Sequence, residues 1–409
     1  MKKSNLFNKD ALWISGAKFS ALCAGIKYKD RQDLILIYLE PGSTLAGVFT
    51  KSYTRSAPVN WSKKIIENSS KRDDEAYGIL VNSGNANAFT GERGHQDVKN
   101  IMEALSGALS ISLNSVLMAS TGVIGEFLPY KKIVTAIPKL IEGLSIKKME
   151  DCSRAIMTTD TYPKFRSTTI ILDGQVIKIV GIAKGSGMIA PNMATMLGYF
   201  FTDALLPPNI LKRLLIDVCE KTFNSITVDG DTSTNDMVSF ISTRKIACEV
   251  KSINDDKLKQ FKMDLNKVAL QLAKKIILDG EGAKKLIQVS VFNAFNYKEA
   301  KKVAMSIANS PLVKTAVAGE DANWGRIIMA IGKTDAKINQ KKISLKFGDI
   351  MVIKNGEMQT NYKEANLSKY LKKKEIEINV NLSVGKAIST IWTCDLTKEY
   401  ISINADYRS

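Results

Sequence analysis

Lys184-Gly185-Ser186-Gly187-Met188-Ile189-Ala190-Pro191-Asn192-Met193-Ala194-Thr195-Met196-Leu197 is the stretch from which the rest of the chain can be read. It follows an apolar, β-branched run, Gln175 to Ile182, that predicts a strand. The strand reaches Lys184 and gives way to a Gly-Ser-Gly turn. Pro191 and Asn192 come next, then the small-residue step Ala194-Thr195. Two readings of Thr195 stand side by side: a buried packing hydroxyl or a nucleophile. Gly185, Ser186 and Gly187 also suggest a phosphate loop, but the G-x-x-x-x-G-K-[ST] pattern is not there.

A nucleophile needs a base. The chain has one histidine, His95, so a Ser-His-Asp triad would have to use it, and a metal site built on several histidines is excluded. A threonine at a chain N-terminus supplies its own base. Its α-amino group, with a pKa of about 7.7–8.0 in peptides, takes the hydroxyl proton. That chemistry requires the Ala194–Thr195 bond to be cut. The small Ala194 leaves room for Thr195 Oγ1 to attack its carbonyl in an N→O acyl shift.

Working outward, Ser167 to Leu172 and Gln175 to Ile182 predict a hairpin turning at Asp173-Gly174. Upstream strands are predicted at Asp33 to Leu39, Ala46 to Thr50, Tyr77 to Asn82 and Ser115 to Ser120, the last stopping at Thr121-Gly122. Helices are predicted at Ser62 to Asn68, His95 to Leu109, Tyr130 to Leu144 with a kink at Pro138, and Met149 to Met157. Downstream, helices run from Pro207-Pro208 to Asn224 and from Asp255 to Leu278, ending at Gly280. Beyond it lie strands at Leu286 to Phe292, Val313 to Val317, Ile343 to Phe347, Ile350 to Ile353, Glu375 to Leu382 and Ala387 to Trp392, with a helix from Tyr297 to Asn309. The segment Asn82 to Asn87 is either a polar wall near a site or a turn whose asparagines bond their own backbone. Asp229 and Asp231 sit in a polar loop without an EF-hand pattern, which favours a structural or substrate-shaping role over a metal. The expected boundary is near Gly280, giving a main domain 1–280 and a smaller one 281–409.

The chain of 409 residues is 45% hydrophobic and 24% charged, as expected of a globular protein of two or three domains. No apolar run of about 18 residues predicts a membrane span, and Met1 to Asp10 lacks a signal peptide's apolar core. Five widely spaced cysteines without a C-x-x-C pair favour reduced thiols and a cytoplasmic setting. A net charge of +17 raises nucleic-acid binding as a rival. The surplus is mostly scattered Lys, without a recognisable nucleic-acid motif. The expectation is therefore no nucleic-acid partner and no membrane.

Taken together, the 184–197 stretch resembles the self-cleavage and nucleophile motif of the ornithine acetyltransferase family of arginine biosynthesis, some members of which are also glutamate N-acetyltransferases. The resemblance covers essentially the whole chain. It includes Gly47-Val48-Phe49-Thr50, Val81-Asn82-Ser83-Gly84-Asn85-Ala86-Asn87-Ala88, Ser120-Thr121-Gly122-Val123-Ile124-Gly125 and Thr158-Thr159-Asp160-Thr161. It continues in Asp229-Gly230-Asp231-Thr232-Ser233-Thr234-Asn235-Asp236, Asp279-Gly280-Glu281-Gly282-Ala283, Gly319 to Arg326 and Asn404 to Ser409.

The resemblance implies an α/β fold: an α-β-β-α sandwich main domain, as in the self-cleaving aminopeptidases, with a smaller C-terminal α+β domain. It implies cleavage between Ala194 and Thr195 into an alpha chain 1–194 and a beta chain 195–409, two of each forming a heterotetramer. Thr195 is the implied nucleophile, with Thr121 and Gly122 as the oxyanion hole and Glu281 as an acid near the nucleophile. Thr158, Lys184, Glu281, Asn404 and Ser409 are the implied substrate contacts. The family commonly ends in Thr where this chain has Ser409. The implied substrates are N-acetylornithine and glutamate. No cofactor or metal is implied, and acetyl-CoA stays open as a second donor. A self-cleaving amidohydrolase or aminopeptidase of the same fold is the alternative.

Overall fold

The computed structural model describes residues 12–69, 75–190 and 196–406. Main-chain contacts gather them into two compact units. The first holds the described residues of 1–185, 191–224 and 232–273; the second holds those of 186–190, 225–231 and 274–409. The division falls inside a helix, and Gly280 lies a few residues beyond it.

In the first unit the chain runs β1 (Ala17–Leu22), β2 (Leu34–Leu39), β3 (Thr44–Phe49), α1 (Ala57–Ser69), β4 (Tyr77–Asn85), α2 (Gly91–Leu109), β5 (Val116–Val123), α3 (Tyr130–Glu142) and α4 (Met149–Ala155). It continues through β6 (Lys164–Leu172), β7 (Gln175–Lys184), β8 (Leu197–Ala204), α5 (Pro208–Lys221), β9 (Met237–Ile246) and α6 (Leu258–Leu278). The strands form a four-stranded sheet, β1-β2-β4-β5, and a five-stranded sheet, β3-β9-β8-β7-β6.

β2 is apolar along its whole length because both of its faces are covered. Ile35, Ile37 and Leu39 point into a core shared with Val180 and Ile182 of β7 and Tyr199 and Phe201 of β8. Leu34 and Leu36 point the other way, onto Ile101 and Leu105 of α2 and Ile133 and Ile137 of α3. On the outer face of the five-stranded sheet, Phe261 of α6 stacks on Phe240 of β9 with ring centroids 6.4 Å apart. The layers are therefore α-β-β-α, as expected. Each fully buried Leu, Ile or Phe in such a core contributes roughly 1.5–3 kcal/mol.

The hairpin of β6 and β7 turns at Asp173-Gly174, where φ is 52° and 75°. Two successive positive φ values match the twist of the strands that leave the turn. Three strands of this unit, β1, β8 and β9, are absent from the sequence expectations. Two other expectations need correction. β4 continues through Asn85 and β5 through Val123, because the strands pair in parallel with Ser83 opposite Thr121 and Gly84 opposite Gly122. Asn82 to Asn85 is thus strand, although its asparagines do bond local backbone: Asn82 Nδ2 donates to Asn85 O, and Asn87 N donates to Asn85 Oδ1.

The second unit carries β10 (Leu286–Ala294), α7 (Tyr297–Ala308), α8 (Pro311–Ala318), α9 (Gly325–Gly332), β11 (Ser344–Phe347), β12 (Ile350–Lys354), β13 (Glu357–Met358), α10 (Glu364–Leu371), β14 (Glu375–Asn381), β15 (Ala387–Cys394) and α11 (Lys398–Ala405). Its six-stranded sheet has the order β13-β12-β11-β14-β10-β15. Val313 to Val317, expected as a strand, is helix α8. Ser310 caps it by accepting from Val313 N, and Pro311 opens it without losing a needed N–H. Val313 and Val317, four apart, then share one buried face.

The five cysteines are free thiols, Cys23 exposed and the others buried. Among the described residues no helix is long and apolar enough to cross a membrane.

Candidate active site

The predicted site residues fall into both units. In the first, Lys184 ends β7 in a buried position, and its Nζ donates to Thr158 Oγ1 at 3.1 Å. The sequence names both residues but not the group that holds them. That group is Asp160, a fully buried carboxylate four residues before Lys164. Its Oδ1 accepts from Lys164 Nζ at 2.5 Å and from Gly185 N at 2.7 Å, and its Oδ2 accepts from Thr158 N at 3.1 Å. One carboxylate thus ties the Thr158 turn to the end of β7. Burial pushes its pKa up, but the charges of Lys164 and Lys184 and the bonds from Lys164 and Gly185 outweigh it. The net effect holds Asp160 below the ordinary carboxylate range.

Thr121 and Gly122 lie within β5. At Gly122 φ is 134°, and a Cβ there would stand 2.5 Å from Asn85 N, so only glycine lets β4 and β5 approach this closely. The strand pairing is irregular at Gly84 and Asn85, directly opposite. Such an irregularity re-aims strand ends, and it is common beside active sites. Asn235 closes the region from β9's side, donating from Nδ2 to Ala86 O at 2.6 Å and to Ser120 O at 2.9 Å. The neighbouring Asp236 is buried, and its Oδ2 has no hydrogen-bond partner among the described residues. Burial pushes this carboxyl well above its ordinary range, against the pull of the Lys184 charge. His95 is exposed on α2.

In the second unit, Glu281 follows the end of α6 and is buried. Its N–H donates to Ser186 O at 3.0 Å, and its Oε2 accepts from Asn404 Nδ2, on α11, at 2.8 Å. At Gly282 φ is 71°, and a Cβ there would meet Tyr400 N at 2.6 Å, so the loop lies directly against α11. Asp229, which the sequence suggested as structural or substrate-shaping, accepts from Met188 N at 2.7 Å and from Ile189 N at 2.9 Å. Tyr400 Oη donates to its Oδ2 at 3.3 Å. Among the described residues no cluster of His, Cys, Asp or Glu is arranged to hold a metal.

Lys184 thus meets Thr158 in one unit, and Glu281 meets Asn404 in the other. Ala194, Thr195 and Ser409 lie outside the described residues. Asp160, Gly187 and Asp229 all sit in motifs quoted from the sequence, but their roles depend on partners distant along the chain.

The chain matches a family model described as the ArgJ family over residues 18–409. It is 46% identical to the arginine biosynthesis bifunctional protein ArgJ of Ruegeria pomeroyi, over 97% of this chain and 95% of that one. It is 45% identical to the protein of the same name from Gluconobacter oxydans, over 98% and 93%. Among solved structures, the arginine biosynthesis bifunctional protein argJ of Bacillus halodurans is 41% identical, covering 52% of this chain and 99% of that one, with a TM-score of 0.47. With the family model matched along nearly its whole length, the chain belongs to the ArgJ family and is an acyltransferase of arginine biosynthesis.

Proposed function

We propose that the protein moves the acetyl group of N-acetylornithine to glutamate through an ester on Thr195. The near full-length match to bifunctional ArgJ proteins carries this reading. Maturation comes first. Thr195 Oγ1 attacks the Ala194 carbonyl, the peptide bond becomes an ester, and water releases a chain that begins at Thr195. The freed α-amine then takes the Oγ1 proton. Oγ1 attacks the acetyl carbon, the bond to ornithine nitrogen breaks, and the proton leaves with the amine. The glutamate amine reverses these steps on the ester.

The remaining assignments follow charge and geometry. Thr121 and Gly122 serve as donors to the oxyanion. Lys184, held by Thr158, offers a cation to the α-carboxylate shared by both amino acids. Glu281, held by Asn404, offers a carboxylate to a substrate ammonium. Ser409 supplies a hydroxyl in place of the family's usual Thr. Acetyl-CoA is a second donor, no tightly bound cofactor takes part, and two alpha and two beta chains assemble in the cytoplasm.

The test is an assay of purified protein with glutamate and either N-acetylornithine or acetyl-CoA. Formation of N-acetylglutamate from each donor is expected. Release of free acetate without any acetylglutamate would identify an amidohydrolase of this fold instead.

A further inference from the structure

We infer that a cavity in the first unit, between the segment after β3 and the loop before α2, takes the adenine-nucleotide end of a coenzyme A thioester. The inference rests on the proposal that acetyl-CoA is a second donor.

The cavity measures about 230 Å³. Pockets that enclose a whole ligand hold roughly 300–1,000 Å³, so this one suits an anchor for one end of a long ligand. Tyr53, Arg55, Asn87, Phe89, Thr90 and His95 line it, and none of the lining residues is acidic. Arg55 is half-buried, and among the described residues it has no ion pair or hydrogen bond. A guanidinium at a cavity wall with its donors unused suits a phosphate.

Two aromatic rings flank this cation. Tyr53 is fully exposed and Phe89 is 80% exposed, so packing accounts for neither. Phe89 is also strained: its φ is 57°, a left-handed value that bulky side chains avoid. The surrounding bonds impose that backbone. Asn87 N donates to Asn85 Oδ1 at 2.8 Å, and Asn87 Nδ2 donates to Gly94 O at 3.1 Å. Thr90 Oγ1 donates to Asn87 Oδ1 at 2.8 Å, and Gly125 N donates to Ala88 O at 3.0 Å. Strain held in this way gathers at ligand sites. An exposed ring beside an unpaired cation offers a base a face to stack on and a phosphate a partner.

The cavity also lies within reach of the reaction. Asn85 stands opposite Thr121 in the strand pairing, and Asn87 is two residues further on. At about 5 Å between strands and about 3.3 Å per residue, Asn87 is within roughly 12 Å of Thr121. A pantetheine arm has the backbone length of about four residues, roughly 13–14 Å when extended. A nucleotide anchored in the cavity therefore lets its thioester reach the proposed oxyanion donor. N-acetylornithine carries no nucleotide and makes no use of the cavity.

The experiment combines calorimetric titration of the purified protein with coenzyme A and steady-state kinetics with each donor. Coenzyme A is expected to bind, and adenosine 3′,5′-bisphosphate to compete with acetyl-CoA but not with N-acetylornithine. Arg55→Gln and Phe89→Ala are each expected to weaken coenzyme A binding and raise the KM for acetyl-CoA about tenfold. The kinetics with N-acetylornithine should not change. Phe89→Trp keeps a ring and should keep the wild-type affinity. Failure of the wild type to bind coenzyme A, or unchanged binding in both Arg55→Gln and Phe89→Ala, overturns the inference even where acetyl-CoA serves as donor. Binding that depends on these residues, without acetylglutamate from acetyl-CoA, upholds the site and overturns the second-donor proposal instead. A change of oligomeric state in Phe89→Ala at unchanged affinity makes the rings an interface between copies and also overturns the inference. If Phe89→Ala does not fold, Arg55→Gln decides it.

Discussion

The Glu281 carboxylate lies over the Cα of Gly187, in the space that a side chain at position 187 would need. A Cβ built there would stand 2.5 Å from Oε1, closer than the 3.0 Å that real Cβ atoms keep. Glycine at 187 leaves the room the carboxylate occupies, and the Asn404 amide at 2.8 Å holds it there.

Gly187→Ala is accordingly expected to push the Glu281 carboxylate off Asn404. A misplacement of about 1 Å costs about 10²-fold in rate, so kcat/KM should fall by that order and resemble the loss in Glu281→Gln. Steady-state kinetics on the purified variants check this. Wild-type kcat/KM in Gly187→Ala would show that the carboxylate's position does not matter to the reaction.

Asp160 and Lys164 form an ion pair with both side chains fully buried. Removing one partner strands the other charge, so Asp160→Asn is expected to destabilise the fold by about 3–5 kcal/mol. The pH dependence has a definite sign. Asp160's pKa is held down in the folded protein, so its ionised form contributes stability above the unfolded pKa. That contribution is lost as pH falls through the lower folded value. Denaturant unfolding as a function of pH should show this acid limb in the wild type and its loss in Asp160→Asn. A change below about 1 kcal/mol at neutral pH would place the pair in the class of exposed, screened bridges.

Thr121→Ala tests the oxyanion assignment. Loss of one donor lowers kcat by about 10²–10³, with a smaller change in KM because the bond strengthens in the transition state. A large rise in KM with kcat intact would make Thr121 a ground-state contact.

Where local chemistry decides structure, the sequence was readable. The β6–β7 hairpin follows from Asp173-Gly174, whose positive φ values are what such a turn requires. Asn82-Ser83-Gly84-Asn85 misled because its residues favour turns, whereas a parallel partner strand keeps the segment extended. That pairing is backed by Ser120 Oγ donating to Asn82 Oδ1 at 2.5 Å, a contact between residues far apart in sequence. Val313 to Val317 fits strand and helix alike on periodicity, and the Ser310 cap decides between them.

The site divides in the same way. Lys184 stood out at the end of its strand, while Thr121, Gly122, Thr158, Glu281 and Asn404 acquired roles only through family resemblance. Asp160 had no role and Asp229 only a general one, because their carboxylates accept mainly from backbone N–H groups, which leave no signature in side-chain type.

The central claim is a covalent acetyl-enzyme on a threonine freed by self-cleavage. It is tested most directly by intact mass spectrometry of the purified protein after a rapid quench, with N-acetylornithine supplied and glutamate withheld. The expected result is two fragments, 1–194 and 195–409, with a gain of one acetyl group, about 42 Da, confined to the fragment beginning at Thr195. Adding glutamate should remove that gain as acetylglutamate appears. An acetyl-transferring protein that shows no acetylated fragment, or that stays uncut and active as Thr195→Ala, would contradict the account.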